Sequence, residues 1–233
     1  MNSLFTLAFP ILCVVLSSGP LASQGAGPVV HLLKAQDYYG RRSFEGQDSV
    51  WYGLYRANDQ WLFLPSRVTI DTIATPRGCT SAATRVGADR ADAALFLIQG
   101  LPGLSAGPLQ VVFDGSVFVY PGRPRELRLG EADPYRLSAR GTRRGRPGDI
   151  TFAGYELLLD HGVRKQVLAS FDVVEEAAPG LVFAGDLDRD QRLDLILDLR
   201  RSYVGHRYAL FVSSFAESDS LVLKVAELPI SGC

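Results

Sequence analysis

The sequence predicts an all-β domain, a single β-sandwich or barrel-like arrangement of antiparallel strands with little helix. Three observations predict it. Runs rich in Val, Ile, Leu, Phe and Tyr are short and are interrupted at close intervals by Gly, Pro, Asn and Asp, the rhythm of strands and turns. Several joins carry hairpin chemistry, because Asp114-Gly115 and His161-Gly162 place residues that tolerate positive φ between two hydrophobic runs. No segment has the period of an amphipathic helix; Asp89 to Ala94 and Val173 to Ala178 hold at most one helical turn each. No repeat of fixed period is present, which argues against a propeller or solenoid.

Length and composition agree. The 233 residues, with 24 Lys+Arg against 25 Asp+Glu and 47% hydrophobic residues, suit one globular domain or at most two small ones, and exclude a disordered chain. A net charge of −1 gives no drive toward nucleic acid or an anionic membrane, so neither is expected as a partner.

The elements follow in order. Leu4 to Leu16 is an uncharged apolar run closed by Ser17, Ser18, Gly19 and Pro20. It is too short to span a bilayer and fits the apolar part of a secretory signal, with cleavage after Gly25 as one choice; residues 26–233 are then the exported β domain, secreted or periplasmic, with no membrane span left. Cys13 leaves with the signal, and Pro10-Ile11-Leu12 before it lacks the small residues of a lipoprotein box. Strand patterns then cover Val50 to Arg56, Trp61 to Leu64, Arg67 to Ile73, Ala94 to Gln99, Leu109 to Phe113, Val117 to Tyr120 and Glu126 to Leu129. More follow at Tyr135 to Arg140, Thr151 to Leu159, Lys165 to Phe171, Leu193 to Leu199, Tyr208 to Ser213 and Leu221 to Glu227. The polar segment Arg140 to Gly148 between two strand patterns reads as a long loop or a subdomain boundary.

Removing Cys13 leaves Cys79 and Cys233, an even pair in an oxidising compartment, so a Cys79–Cys233 disulfide is expected. It would close a loop of about 155 residues, worth on the order of 5 kcal/mol at most by chain-entropy arithmetic.

The one chemistry-bearing run is Gly185-Asp186-Leu187-Asp188-Arg189-Asp190-Gln191-Arg192-Leu193-Asp194. An acid at every second residue lets a short loop wrap oxygens around a hard cation, and Ca²⁺ takes 6–8 oxygens at roughly 2.3–2.6 Å. All candidate ligands are hard oxygens, which favours calcium over softer-ligand metals. The run resembles the D-x-D-x-D-x-x-x-D calcium loops of FG-GAP, integrin-type and thrombospondin-like repeats, here in a single copy. That resemblance implies side-chain ligands from Asp186, Asp188, Asp190 and Asp194 and a backbone carbonyl from Arg192. Two features depart from it. Gln191 stands where glycine is usual, at a cost of about 1 kcal/mol for a left-handed backbone, and Leu197 replaces the closing glutamate of an EF-hand, so helix-loop-helix is excluded. The apolar flanks Leu181 to Ala184 and Leu193 to Leu199 place the loop between strands. The run from Gly185 to Cys233 is also similar to the C-terminal part of uncharacterised exported bacterial proteins with one aspartate loop, a resemblance that implies no activity.

Other motifs yield to plainer readings. Gly103-Leu104-Ser105-Ala106-Gly107 matches a nucleophile-elbow pattern, but Pro108 and a strand-like run follow where a helix is required, so it reads as a glycine-rich turn. His31, His161 and His206 are isolated, with no metal-ligand spacing. The aromatics Tyr38, Tyr39, Phe44, Trp51, Tyr52, Tyr55, Trp61 and Phe63 suit core and cross-strand packing before a stacking platform. Arg140, Arg143, Arg144 and Arg146 read as a solvated loop before an anion-binding patch. The functional expectation is an exported, non-enzymatic calcium-binding β domain with a structural or interaction role toward a protein or glycan partner. Its alternatives are a secreted hydrolase with dispersed acids such as Glu156 and Asp160, marked by a pocket with two facing carboxylates, and a carbohydrate- or peptide-binding module, marked by Trp51, Tyr55 or Trp61 exposed on one flat face.

Overall fold

The computed structural model describes residues 29–39, 50–79, 82–90, 94–146, 150–175, 177–203 and 205–231; the expected signal segment 1–25, Phe44 and Cys233 lie outside them, and with Cys233 the expected disulfide pairing. The chain is all-β, and the described residues contain no helix. The first strands are β1 (His31–Leu33), β2 (Asp37–Tyr39), β3 (Trp51–Ala57), β4 (Gln60–Ser66), β5 (Val68–Ile73) and β6 (Ala83–Ala88). Then come β7 (Leu97–Gln99), β8 (Gly107–Pro108), β9 (Gln110–Phe118), β10 (Arg125–Leu127), β11 (Tyr135–Arg144) and β12 (Thr151–His161). The last are β13 (Arg164–Glu175), β14 (Gly180–Asp186), β15 (Asp194–Asp198), β16 (His206–Val212) and β17 (Leu223–Ile230).

They form four sheets, in the orders β1-β7-β3-β4-β8, β2-β6-β5, β10-β11-β12-β13 and β17-β16-β15-β14-β9. Every pairing is antiparallel. Among the described residues no sheet closes on itself, so of the two expected forms the arrangement is that of a sandwich and not a closed barrel.

The sheet holding β14–β17 and β9 is the middle layer. One face of it, with Val182, Phe183, Ile196, Leu210 and Val212, packs in one core with Trp51, Leu54, Phe63, Phe96 and Ile98. The opposite face, with Leu181, Ala184, Leu195, Leu197, Ala209 and Phe211, packs in a second core with Leu137, Tyr155, Leu157 and Leu159 of β11 and β12. Burial on both faces is why Leu181 to Ala184, Leu195 to Leu197 and Tyr208 to Val212 read as unbroken apolar runs, where a half-exposed strand would alternate. Within β14 the neighbours Val182 and Phe183 share a face because the register shifts between Leu181 and Phe183.

Three local expectations change. Asp114-Gly115 is no hairpin: β9 runs through it, pairing with β14 on both sides of a bulge, and the Asp114 carboxylate is held by Trp61 Nε1 at 2.9 Å and Arg56 at 3.0 Å. Arg140 to Arg144, expected as loop, extend β11 along β12 past a register shift at Arg140/Thr142. Val173 to Glu175 end strand β13 instead of turning as helix. The hairpin at His161-Gly162 forms as read, with His161 paired to Arg164 and Gly162 at φ 58°.

Candidate metal centre

Two adjacent strands of the middle sheet each bring a carboxylate to their junction, since Asp186 ends β14 and Asp194 begins β15. The seven residues between them turn tightly, with Arg189 at φ 65° and Gln191 at φ 64°. The expected left-handed backbone at Gln191 is therefore present, and a second one accompanies it. The turn wraps around Asp186, whose Oδ1 accepts the Asp190 N–H at 3.1 Å and whose Oδ2 accepts the Gln191 N–H at 3.0 Å.

Asp186, Asp188 and Asp194 converge, each offering a carboxylate oxygen within 4.8 Å of the others. All three are buried, Asp194 fully and the others with 6% and 9% of their surface exposed. They form a group able to hold a metal ion. Asp194 accepts N–H bonds from Leu187 (2.7 Å) and Ser213 (2.8 Å) and lies 3.0 Å from Ser213 Oγ. Even so, burial, reinforced by the charge of Asp188, pushes its pKa up to about 8. Burial raises Asp186 and Asp188 as well.

Charge balance is the decisive feature. Among the described residues no Lys, Arg or His lies within ion-pair distance of Asp186, Asp188 or Asp194. Two carboxylates 4.8 Å apart repel by about 3 kcal/mol at an effective dielectric of 20. All three can be ionised together in the buried niche only beside a cation; without one, a carboxylate takes up a proton.

Asp190, the fourth aspartate of the expected set, stands outside this group of three, and the side chain of Arg192, expected to contribute only its backbone carbonyl, pairs with it. Asp190, with a fifth of its side chain exposed, receives Arg192 Nε at 2.8 Å and faces Ser213 Oγ at 3.0 and 3.1 Å. The Arg192 guanidinium also donates to the Ser213 carbonyl at 2.9 Å. Ser213 and Ser214, just beyond β16, complete the niche, Ser214 Oγ donating to Asp188. Sequence reasoning overlooked this serine pair because its link to the loop is across strands: Leu195 pairs with Phe211, so the start of β15 meets the end of β16.

The turn at Gly103 to Gly107 is the other wall. Arg189 Nη1 donates to Ser105 Oγ, and Nη2 donates to the carbonyls of Ser105 and Ala106 at 3.2 Å. Gly103 sits at φ 83°, where a Cβ would lie 2.7 Å from the Asp188 carbonyl oxygen. The G-x-S-x-G match is thus the glycine turn expected, between β7 and β8, and it seats the aspartate loop.

The remaining candidates separate in space. His161 stacks on Tyr135 with centroids 4.0 Å apart, while His31 lies against Trp51 at 6.2 Å. His206 Nδ1 sits 2.7 Å from the buried Asp198, which Arg200 also holds, and stacks on Tyr208. This second polar knot arises because Asp198 and Tyr208 are strand partners, a proximity that no linear spacing displays. Trp51 and Tyr55 are buried, at 1% and 3% exposed, and Trp61 packs edge-on against Phe183, so these three make no flat exposed face. Glu156 pairs with Arg140, and Asp160 lies 3.7 Å from Lys165 in a cavity also lined by Arg136 and Arg164, where no second acid is present among the described residues.

No protein-family model, curated protein or solved structure matches the chain.

Proposed function

We propose that the protein is an exported, non-enzymatic β domain that binds one Ca²⁺ between β14 and β15, where the ion braces the middle sheet. The observation that carries this reading is the group Asp186, Asp188 and Asp194, three buried carboxylates without a counter-ion among the described residues. Hard oxygen ligands favour calcium, and the Arg192 carbonyl that the loop resemblance implies, together with water, would supply further oxygens. The left-handed Arg189 and Gln191 and the absence of a closing glutamate weaken the site, so the dissociation constant is expected at ~10⁻⁴ to 10⁻³ M, as in extracellular modules. Equilibrium dialysis against radioactive calcium tests it: one ion per chain in that range is the expected result, and no saturable binding in millimolar calcium contradicts it. The same reading includes export by the segment 1–25 and the Cys79–Cys233 bridge. Thiol labelling of unreduced, denatured mature protein is expected to find no free thiol; two labelled cysteines per chain would refute the bridge.

A further inference from the structure

Away from the aspartate loop, at the end of the outer sheet formed by β10 to β13, a cavity of about 640 Å³ is lined by Tyr120, Arg123, Arg143, Ile150, Phe152 and Tyr203. That volume lies in the usual range of small-ligand sites, in which apolar walls carry a few placed polar groups. Four separate chain segments meet there. Tyr120 follows β9, Arg123 closes the next turn through its N–H on the Tyr120 carbonyl at 3.1 Å, and Tyr203 stands in the loop between β15 and β16.

Arg143 is the telling residue. In β11 the buried positions Tyr135, Leu137 and Ala139 point to the second core, and Arg143 continues the same alternation. It pairs directly with Phe152, and direct partners in an antiparallel ladder share a face. An arginine therefore occupies the core-facing side of the sheet where that core opens to solvent. Neither Arg143 nor Arg123 has a carboxylate partner among the described residues. Around them stand three aromatic rings: Tyr120 and Phe152 lie with centroids 5.8 Å apart, and Tyr203 is 61% exposed at the rim. Arginine forks recognise carboxylates in a bidentate manner, and aromatic faces take flat rings by stacking.

We infer that this cavity binds a ring with a flat apolar face that carries a carboxylate. Such a ring comes from two sources, the uronic acid unit of an acidic glycan or a free aromatic acid. The inference is independent of the calcium reading, since it shares no residue with the aspartate loop.

Calorimetric titration of the full chain at fixed calcium tests it with four probes: a glucuronate-bearing disaccharide, its neutral glucose counterpart, benzoate and benzyl alcohol. At least one charged probe is expected to bind about tenfold or more tighter than its neutral counterpart, the worth of one charge-assisted contact, and added salt should weaken it. Preference between the two charged probes identifies the source. Arg143→Gln, and separately Arg123→Gln in its exposed turn, should each lose about tenfold in affinity with an unchanged melting temperature. Charged and neutral probes binding alike, no saturation by either charged probe at millimolar concentration, or full affinity in both arginine variants would each overturn the proposal.

Discussion

At the scale of single residues, the behaviour of the aspartate loop turns on what neutralises Asp194. Its pKa is pushed up to about 8 by burial, whereas an unfolded aspartate titrates near pH 4, so the cation-free folded chain holds a proton that the unfolded chain releases. Folding without a cation must then lose stability as pH rises from about 4 to about 8. A bound cation displaces that proton, so metal affinity should rise through the same interval. Melting curves in chelator at a series of pH values are expected to fall over it, and a flat profile would refute the buried, uncompensated carboxylate. Asp188→Ala removes one ligand and one repelling charge. It should abolish most of the gain from calcium while leaving the chelated protein as stable as before or slightly more so. Gln191 gives an independent check: at φ 64° a glycine is less strained, so Gln191→Gly should stabilise the chain by about 0.5–1 kcal/mol in denaturant titrations, with no loss of calcium binding.

At the scale of elements, the aspartate loop is held from two sides, by Ser213 and Ser214 beyond β16 and by the Gly103 to Gly107 turn through Arg189. Gly103→Ala would drive a methyl against the Asp188 carbonyl at a left-handed position. We expect it to cost about 1–3 kcal/mol and to weaken calcium binding together with stability, whereas a mutation of an unrelated turn would affect stability alone. The loop itself was legible because its ligands are local in sequence and spaced by two. The strands were legible wherever turn residues bracket apolar runs, as at His161-Gly162. What was hidden depends on pairing. Asp114-Gly115 has the chemistry of a hairpin, yet β14 offers β9 a continuous partner and absorbs the glycine, at φ 136°, as a bulge. Arg140 to Arg144 look like a solvated loop because an exposed strand end and a loop have the same composition, and only the register with β12 separates them. Likewise Ser105 gained its partner Arg189 through a contact between two loops, and Asp198 its partner His206 through a contact between strands, neither of which sequence spacing records.

At the scale of the whole molecule, the proposed calcium site lies on the sheet that both hydrophobic cores share. Leu195 and Leu197 face one core and Ile196 the other, so β15 transmits the geometry of its first residue, Asp194, to both. Leu195→Ala, a truncation at a fully buried position beside the site, should cost about 2–5 kcal/mol and lower the melting temperature whether calcium is present or not. The site's own contribution differs in being conditional on the ion. At calcium one hundred times the dissociation constant the folded state gains about 2.7 kcal/mol, provided the unfolded chain does not bind. For a domain of this size that corresponds to a rise in melting temperature of roughly 5–10 °C. The most direct test is the melting temperature of the wild-type chain in chelator and in saturating calcium, with Asp188→Ala alongside. A rise of that order is expected for the wild type and little or none for the variant; equal melting temperatures for the wild type in both buffers would contradict calcium binding by the aspartate loop.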